Sequence, residues 1–256
     1  MRLFTGYSYK NSNLLTMKKL TFLIVAILLA LPSCIIDGWD QGISGNGKVV
    51  EKIRDIEGFT GVKVSSGIDV YLSQGSSFEV KVEADENLHE VILTELDGKM
   101  LVVKTDRVNI RKAKSKKVHV TLPELTALKI SSAGDCVGQT LFTCDDLNLS
   151  ISSAGDLSLE VEAGRIDLDI SSSGDADISG TADEFNVSLS SAGDLNAFDL
   201  LAAKVDVNVS SAGDARVHAT EEISMSASSA GNIYYRGDAR VMHSQSSSAG
   251  NISHND

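Results

Sequence analysis

The stretch SSAGDLSLEVEAGRIDLDISSSGD, Ser152 to Asp175, closes on the pentapeptide with which it opens, nineteen residues later and with Ala154 answered by Ser173. Self-similarity at a fixed short period marks architectures built by stacking one supersecondary unit on the next. Aligned on the glycine, the chain gives Gly134, Gly155, Gly174, Gly193, Gly213, Gly231 and Gly250, at spacings of 21, 19, 19, 20, 18 and 19. Ahead of the glycines stand Leu147, Leu149 and Ile151, then Ile166, Leu168 and Ile170, then Phe185, Val187 and Leu189, then Val205, Val207 and Val209. Between them stand Asn148, Ser150, Asp167, Asp169, Asn186, Ser188, Asp206 and Asn208. This is period two, the mark of a half-buried strand. The alternation resumes behind the glycine, as in Leu157, Leu159 and Val161, until a second polar break such as Glu162-Ala163-Gly164-Arg165. Each unit therefore reads as strand, tight turn, strand, loose turn.

One unit cannot bury its apolar face alone, but stacked copies can. The expected fold is all-β, a parallel β-solenoid with coils of 19–21 residues and equivalent residues about 4.8 Å apart along the axis. A meander of β-hairpins is the competing architecture. The solenoid is favoured because the second break is long and lacks two-residue hairpin chemistry, and because identical residues recur at identical phase.

Within the pentapeptide, glycine is expected to supply positive φ for the chain reversal. By the alternation, Ser153, Ser172, Ser191, Ser211 and Ser229 face inward, where hydroxyls can satisfy turn backbone groups. Ser152, Ser171, Ser190, Ser210 and Ser228 face outward. The next position holds Asp135, Asp156, Asp175, Asp194 and Asp214, then Asn232 and Asn251. Short side chains of this kind bond a backbone N–H two residues on, and the Asp/Asn interchange indicates that geometry outweighs charge. The alternative is a calcium-binding ladder, because stacked carboxylates repel by roughly 1 kcal/mol per neighbouring pair even at the dielectric of water. The two-glycine nonapeptide of calcium-binding β-rolls is missing, so no metal and no cofactor is expected.

The chain's ends carry other signals. MKKLTFLIVAILLALPSC, Met17 to Cys34, has two lysines, a short apolar run and a small residue directly before a cysteine. It reads as a lipoprotein signal over residues 17–33 with lipidation at Cys34, and so a membrane partner through that lipid; an ordinary secretory signal is the alternative. Residues 1–16 read as an extension ahead of a better start at Met17. The signal and extension carry four bases and no acid, so 19 bases against 35 acids remain, a net charge of −16. That balance argues against nucleic acid as a partner. Residues 34–46, with Trp39, read as a tether, 47–125 as irregular leading coils and a cap, and 126–256 as the regular solenoid.

Val62, Val64, Ser66, Gly67 and Asp69 in GVKVSSGIDVYL resemble a coil with one inserted residue. Asp85 to Leu96 suggests a short helical turn, and Asp97-Gly98 a hairpin. At the far end the inward positions decay to Met242, Ser244 and Ser246, as suits a coil that meets water. RKAKSKK, with Arg111, Lys112, Lys114, Lys116 and Lys117, is the one concentrated positive run; it is a solvated loop or a contact for anionic glycan or phosphate. Cys136 and Cys144 are either a bridge or two thiols. Alternation turns Tyr235 inward and Tyr234 outward.

A lipoprotein signal, a leading Ser-Ser-Gly-x-Asp-Val element and successive Ser-Ala-Gly-Asp or Ser-Ala-Gly-Asn turns together resemble the bacterial family described as "putative auto-transporter adhesin, head GIN domain". The resemblance spans roughly residues 47–250. It implies a right-handed parallel β-helix, a cell-envelope location and a role in adhesion, with homotrimers among its expectations. It brings no catalytic residues.

Function therefore divides three ways. A surface-anchored adhesion or scaffold module would present the ladder Asn148, Asp167, Asn186 and Asp206 to a glycan or a surface protein. A carbohydrate-active enzyme would need a unique acid–base cluster, whereas these carboxylates recur in every coil, and His89, His119, His218, His243 and His254 show no paired spacing. An envelope assembly component is the third reading. The chain is expected to be a non-catalytic, outer-membrane-anchored module.

Overall fold

The computed structural model describes residues 42–255; the extension, the signal, Cys34 and Trp39 lie outside the described residues. The strands are β1 (Gly42–Ser44), β2 (Val49–Arg54), β3 (Gly61–Val64), β4 (Asp69–Gln74), β5 (Glu79–Asp85), β6 (Ile92–Asp97), β7 (Met100–Thr105), β8 (Asn109–Lys112), β9 (Lys116–Leu122), β10 (Ala127–Ser131) and β11 (Asp135–Gly138). Long strands follow: β12 (Phe142–Ser153), β13 (Asp156–Ser172), β14 (Asp175–Ser191), β15 (Leu195–Ser210) and β16 (Asp214–Ser228). The chain ends on β17 (Asn232–Arg236), β18 (Arg240–Ser246) and β19 (Asn251–His254).

From β10 onward every strand pairs parallel with its equivalent in the next coil, so the solenoid is present and the hairpin meander is not. The register is the sequence repeat itself: Ile166 pairs with Phe185, Phe185 with Val205 and Val205 with Ile223. In-register stacking puts each apolar residue on its counterpart, giving buried columns such as Leu149, Leu168, Val187, Val207 and Met225. Each such side chain removed from water contributes about 1.5–3 kcal/mol.

The loose turn is not a break. β13 runs unbroken through Ala163-Gly164-Arg165, and the parallel ladder continues on both sides of the bend. Neighbouring coils hold the backbone partners on either side, so the chain bends without leaving the sheet. Coil-length differences are absorbed as register shifts, one between Asp177 and Gly180. Gly180 takes φ +116°, and a Cβ there would lie 2.0 Å from the Val161 carbonyl oxygen.

The leading coil is β3, the turn at Ser65 to Ile68, and β4. It pairs with β7 and β9 on one side and with β10 and β11 on the other. The first coil in sequence is thus the second in the stack. Beyond β9 the direction switches: β5 runs antiparallel to β9, and β2 antiparallel to β5. β6 and β7 form the hairpin expected at Asp97-Gly98. The helical turn expected after Asp85 is a single 3-10 turn, Glu86–Leu88, after which β6 begins at Ile92. β1 pairs parallel with β8, so residues read as the end of the tether belong to the folded unit. At the other end β18 is exposed along its whole length, with Ser244 and Ser246 in register with buried Met225 and Ala227. Met242 falls in a register shift, and Val241 takes the position opposite Ile223.

Candidate functional site: the repeated polar columns

The turn assigns its residues differently from the sequence pattern. Ser153, Ser172, Ser191, Ser211 and Ser229 carry the positive φ, between 54° and 98°, and are exposed. Gly134, Gly155, Gly174, Gly193, Gly213 and Gly231 do not have positive φ and are buried, and Gly250 is half-buried. Their requirement is space. A Cβ on Gly174 would stand 2.5 Å from Ile151 Cγ2 and 2.9 Å from the Gly155 oxygen; on Gly213 it would stand 2.4 Å from the Gly193 oxygen. Glycine occupies the inward site where successive coils touch, and the left-handed residue falls two places earlier, where a small side chain reaches water. The first serine, not the second, supplies the hydroxyl: Ser152 Oγ donates to the Ile130 carbonyl and Ser210 Oγ to that of Leu189, each at 3.4 Å.

The aspartates also bond across coils rather than within their own turn. Asp175 Oδ1 accepts from the Asp194 N–H at 3.1 Å, and Asp194 Oδ1 from the Asp214 N–H at 3.0 Å. The column is longer than the repeat suggests. Asp69 of the leading coil lies beneath Asp135, and Lys117 is in register with Asp69 at its foot. At its head Asn232 Nδ2 donates to Asp214 Oδ1 at 2.7 Å, and Asn251 follows. Burial first, then repulsion from Asp69 and Asp156, holds the Asp135 carboxyl above its ordinary range. Among the described residues, no group of three or more His, Cys, Asp or Glu is arranged to hold a metal ion.

Two grooves flank the turn. The post-turn groove, about 410 Å³, has Asp135, Asp156, Asp175 and Asp194 on one wall and Ser158, Asp177, Asn196 and Arg216 on the other. The pre-turn groove, about 500 Å³, lies between the columns Asn148, Asp167, Asn186, Asp206 and Asp169, Ser188, Asn208. The ladder read from the sequence is therefore brought together. Asn186 Nδ2 donates to Asp167 Oδ1 at 2.8 Å, and Arg165 Nε donates to both Asp167 oxygens at 3.0 and 3.1 Å. Arg165, then Asn186, lowers the Asp167 carboxyl against the opposing effect of burial. Amide beside carboxylate leaves both donors and acceptors facing the groove.

The basic run is split. Arg111 and Lys112 lie on β8, Lys114 in the loop, and Lys116 and Lys117 on β9. Lys116 Nζ donates to the Gly67 carbonyl, and Lys117 lies 5.4 Å from the Tyr71 ring centre. The Lys112 and Lys114 side chains are exposed. Buried Asp85 ties this loop to the start of the domain, accepting from the N–H groups of Gly47, Lys114 and Ser115 at 3.0 to 3.2 Å.

Cys136 and Cys144 are both free thiols, Cys136 facing the core; burial raises the Cys144 thiol to about 11. Tyr235 packs on the core with its ring 4.8 Å from that of His254, and Arg216 lies over Tyr234. His119 pairs with Glu83 at 3.3 Å, which gives it a structural partner on the cap.

Solved structures with this fold include one described as a putative adhesin from Bacteroides fragilis, at 21% identity and TM-score 0.77, covering 84% of this chain and 100% of that one. A putative adhesin from Parabacteroides merdae matches at 22% identity and TM-score 0.70, with 84% and 100% covered. A structure described as a putative lipid binding protein from Parabacteroides distasonis matches at 22% identity and TM-score 0.68, with 84% and 99% covered. No curated protein matches the sequence. A sequence model spanning residues 58–239 matches the leading coil, the cap and the repeated turns together, and the chain belongs to the family described as "putative auto-transporter adhesin, head GIN domain".

Proposed function

We propose that the protein is a non-catalytic adhesion module of the cell envelope, held to the outer membrane by a lipid on Cys34, that binds an extended glycan along its pre-turn groove. The observation carrying this reading is the recurrence of short polar side chains, Asn, Asp or Ser, at the same place in coil after coil, with Asn186 and Asp167 pre-paired at 2.8 Å. A site that repeats along the axis suits a repeating ligand, because each further coil engaged adds to avidity without new chemistry. Catalysis calls for one unique cluster of acid and base, and a repeated ladder is the opposite arrangement. The groove carboxylates Asp167, Asp169 and Asp206 favour a neutral or amino-bearing linear glycan over an anionic one.

The test is retention of the mature chain, with Cys34→Ser, on an array of glycans and matrix proteins, with and without calcium. Saturable retention on neutral or amino glycans, lost on changing the groove residues, supports the reading. Retention on proteins alone points to an assembly role, and release of cleaved product from any glycan at enzymatic turnover overturns the non-catalytic assignment.

A further inference from the structure

The charge of the molecule is divided along its axis. Residues 42–131 carry 14 lysines and arginines against 13 acids, whereas residues 132–255 carry 5 against 19. Within the first part, residues 107–117 hold Arg107, Arg111, Lys112, Lys114, Lys116 and Lys117 and no acid. This segment connects β7 to β9, in the coil at the opposite end of the stack from β18 and β19. β8, inside the segment, pairs with β1, the first described strand, through Gly42 with Asn109 and Ser44 with Lys112. The Arg111 side chain lies across Gly42, where a Cβ would meet its Nε at 2.4 Å. The Gly45 N–H donates to the Lys112 carbonyl at 2.7 Å, and Asp85 binds the loop and Gly47 together. The basic segment is thus fastened to the strand by which the chain enters the domain.

We infer that this segment is a membrane-contact surface that binds the anionic phosphates of lipid headgroups and, with the acidic solenoid repelled from the same surface, holds the rod away from the membrane. The inference rests on the lipid-anchor reading for its location in the cell. Gly42 follows Cys34 by eight positions, a reach of about 28 Å at full extension. Headgroup forces act within a Debye length of roughly 10 Å, so a basic segment next to the first strand is well placed to be attracted, while the acidic coils are repelled only when the rod tilts down and brings them within that distance. Each basic residue held near an anionic surface adds about 1 kcal/mol of attraction, so the segment would orient the anchored domain and not merely retain it.

The experiment uses the mature chain with Cys34→Ser, so that no lipid contributes, and sedimentation with vesicles of phosphatidylcholine alone or mixed with phosphatidylglycerol. Expected is binding only to the mixed vesicles, falling steeply with added salt. Lys112→Glu with Lys114→Glu should lower that binding at least about tenfold, at roughly fivefold per basic residue, and Lys112→Gln with Lys114→Gln should lower it less. Both pairs alter only exposed side chains and keep the backbone bonds to Gly45 and Asp85. Adding Glu160→Lys and Glu162→Lys on the solenoid restores net charge to the reversed variant and should not restore binding. Equal sedimentation with both vesicles, no effect of the reversal, or full recovery through Glu160 and Glu162 would overturn the inference. Fatty-acid labelling of Cys34 in cells reports the anchor separately, so its failure is not confused with failure of the patch.

Discussion

Lys117 stands in register with Asp69 at the foot of a column of six aspartates, Asp69, Asp135, Asp156, Asp175, Asp194 and Asp214, which Asn232 closes at the other end with an amide-to-carboxylate bond of 2.7 Å. At the foot Lys116 is the cation that opposes the repulsion at Asp135, with Lys117 beside it on β9, and at the other end an amide closes the ladder. Lys117→Glu should therefore lower the melting temperature, by an amount corresponding to about 1 kcal/mol at these exposed positions. Asp135→Asn should raise it at neutral pH. The Asp135 carboxyl titrates above its ordinary range in the folded state, so the folded protein holds that proton more tightly than the unfolded chain. Its destabilising effect is full above the folded pKa and is relieved as pH falls through it. Thermal unfolding between pH 3 and 7 should show that relief in the wild type and its loss in Asp135→Asn.

The exchange of roles between serine and glycine gives a sharp pair of substitutions. Gly174→Ala places a methyl 2.5 Å from Ile151 Cγ2 and 2.9 Å from a backbone oxygen, and should cost about 2 kcal/mol or more through overpacking. Ser172→Gly relieves a left-handed serine at φ 75° while loosening the unfolded chain, and these effects nearly cancel. Chemical denaturation of both variants checks the order. A glycine needed only for φ would give the reverse.

At the cap, Asp85→Ala should free the loop around Lys114 from the start of the domain. Three backbone N–H bonds outweigh burial and keep the Asp85 carboxyl below its usual range. The stability it contributes is present above the unfolded carboxylate pKa and is lost as pH falls through the folded one. Amide hydrogen exchange at Gly47, Lys114 and Ser115 should accelerate selectively in the variant, with coils beyond Gly155 unchanged. Uniform acceleration across the solenoid would instead mean global destabilisation.

In the pre-turn groove, Asp167→Ala combined with Asn186→Ala removes the 2.8 Å pair together with the hydrogen bonds it offers a ligand. With each such bond worth about 1 kcal/mol, retention on the bound glycan should fall at least about tenfold while circular dichroism stays unchanged. The same change made at Asp183, outside the groove, should leave retention intact.

The coil repeat, its length and its inward residues were legible because period-two alternation at Ile166, Leu168 and Ile170 admits one face only, and because identical phase means stacking. The pattern carried no information on which of three consecutive turn residues takes the left-handed conformation. That choice depends on the close approach of Gly174 to Ile151 and Gly155 in neighbouring coils. Lys117 at the foot of the column was invisible for a related reason, since its neighbour Asp69 is 48 residues away and the partnership exists only because β9 lies beneath β4. The pre-turn ladder could be read directly, each of its members being one repeat from the next. The post-turn groove could not, because its second wall of Ser158, Asp177, Asn196 and Arg216 has no common residue type.

The insertion of the leading coil between two coils made later has a consequence for biosynthesis. Among the strands of the coils, β3 and β4 are made first, yet one of their edges waits for β7 and β9 and the other for β10 and β11. The earliest coil is thus a template with two open sides, and assembly proceeds outward from it in both directions. The first side closes with the cap, after which each newly emerged coil has only one place to add. A structure whose regular coils are nearly interchangeable in sequence thereby acquires an order of assembly, because the coil that comes first in the chain lies inside the stack and not at its end.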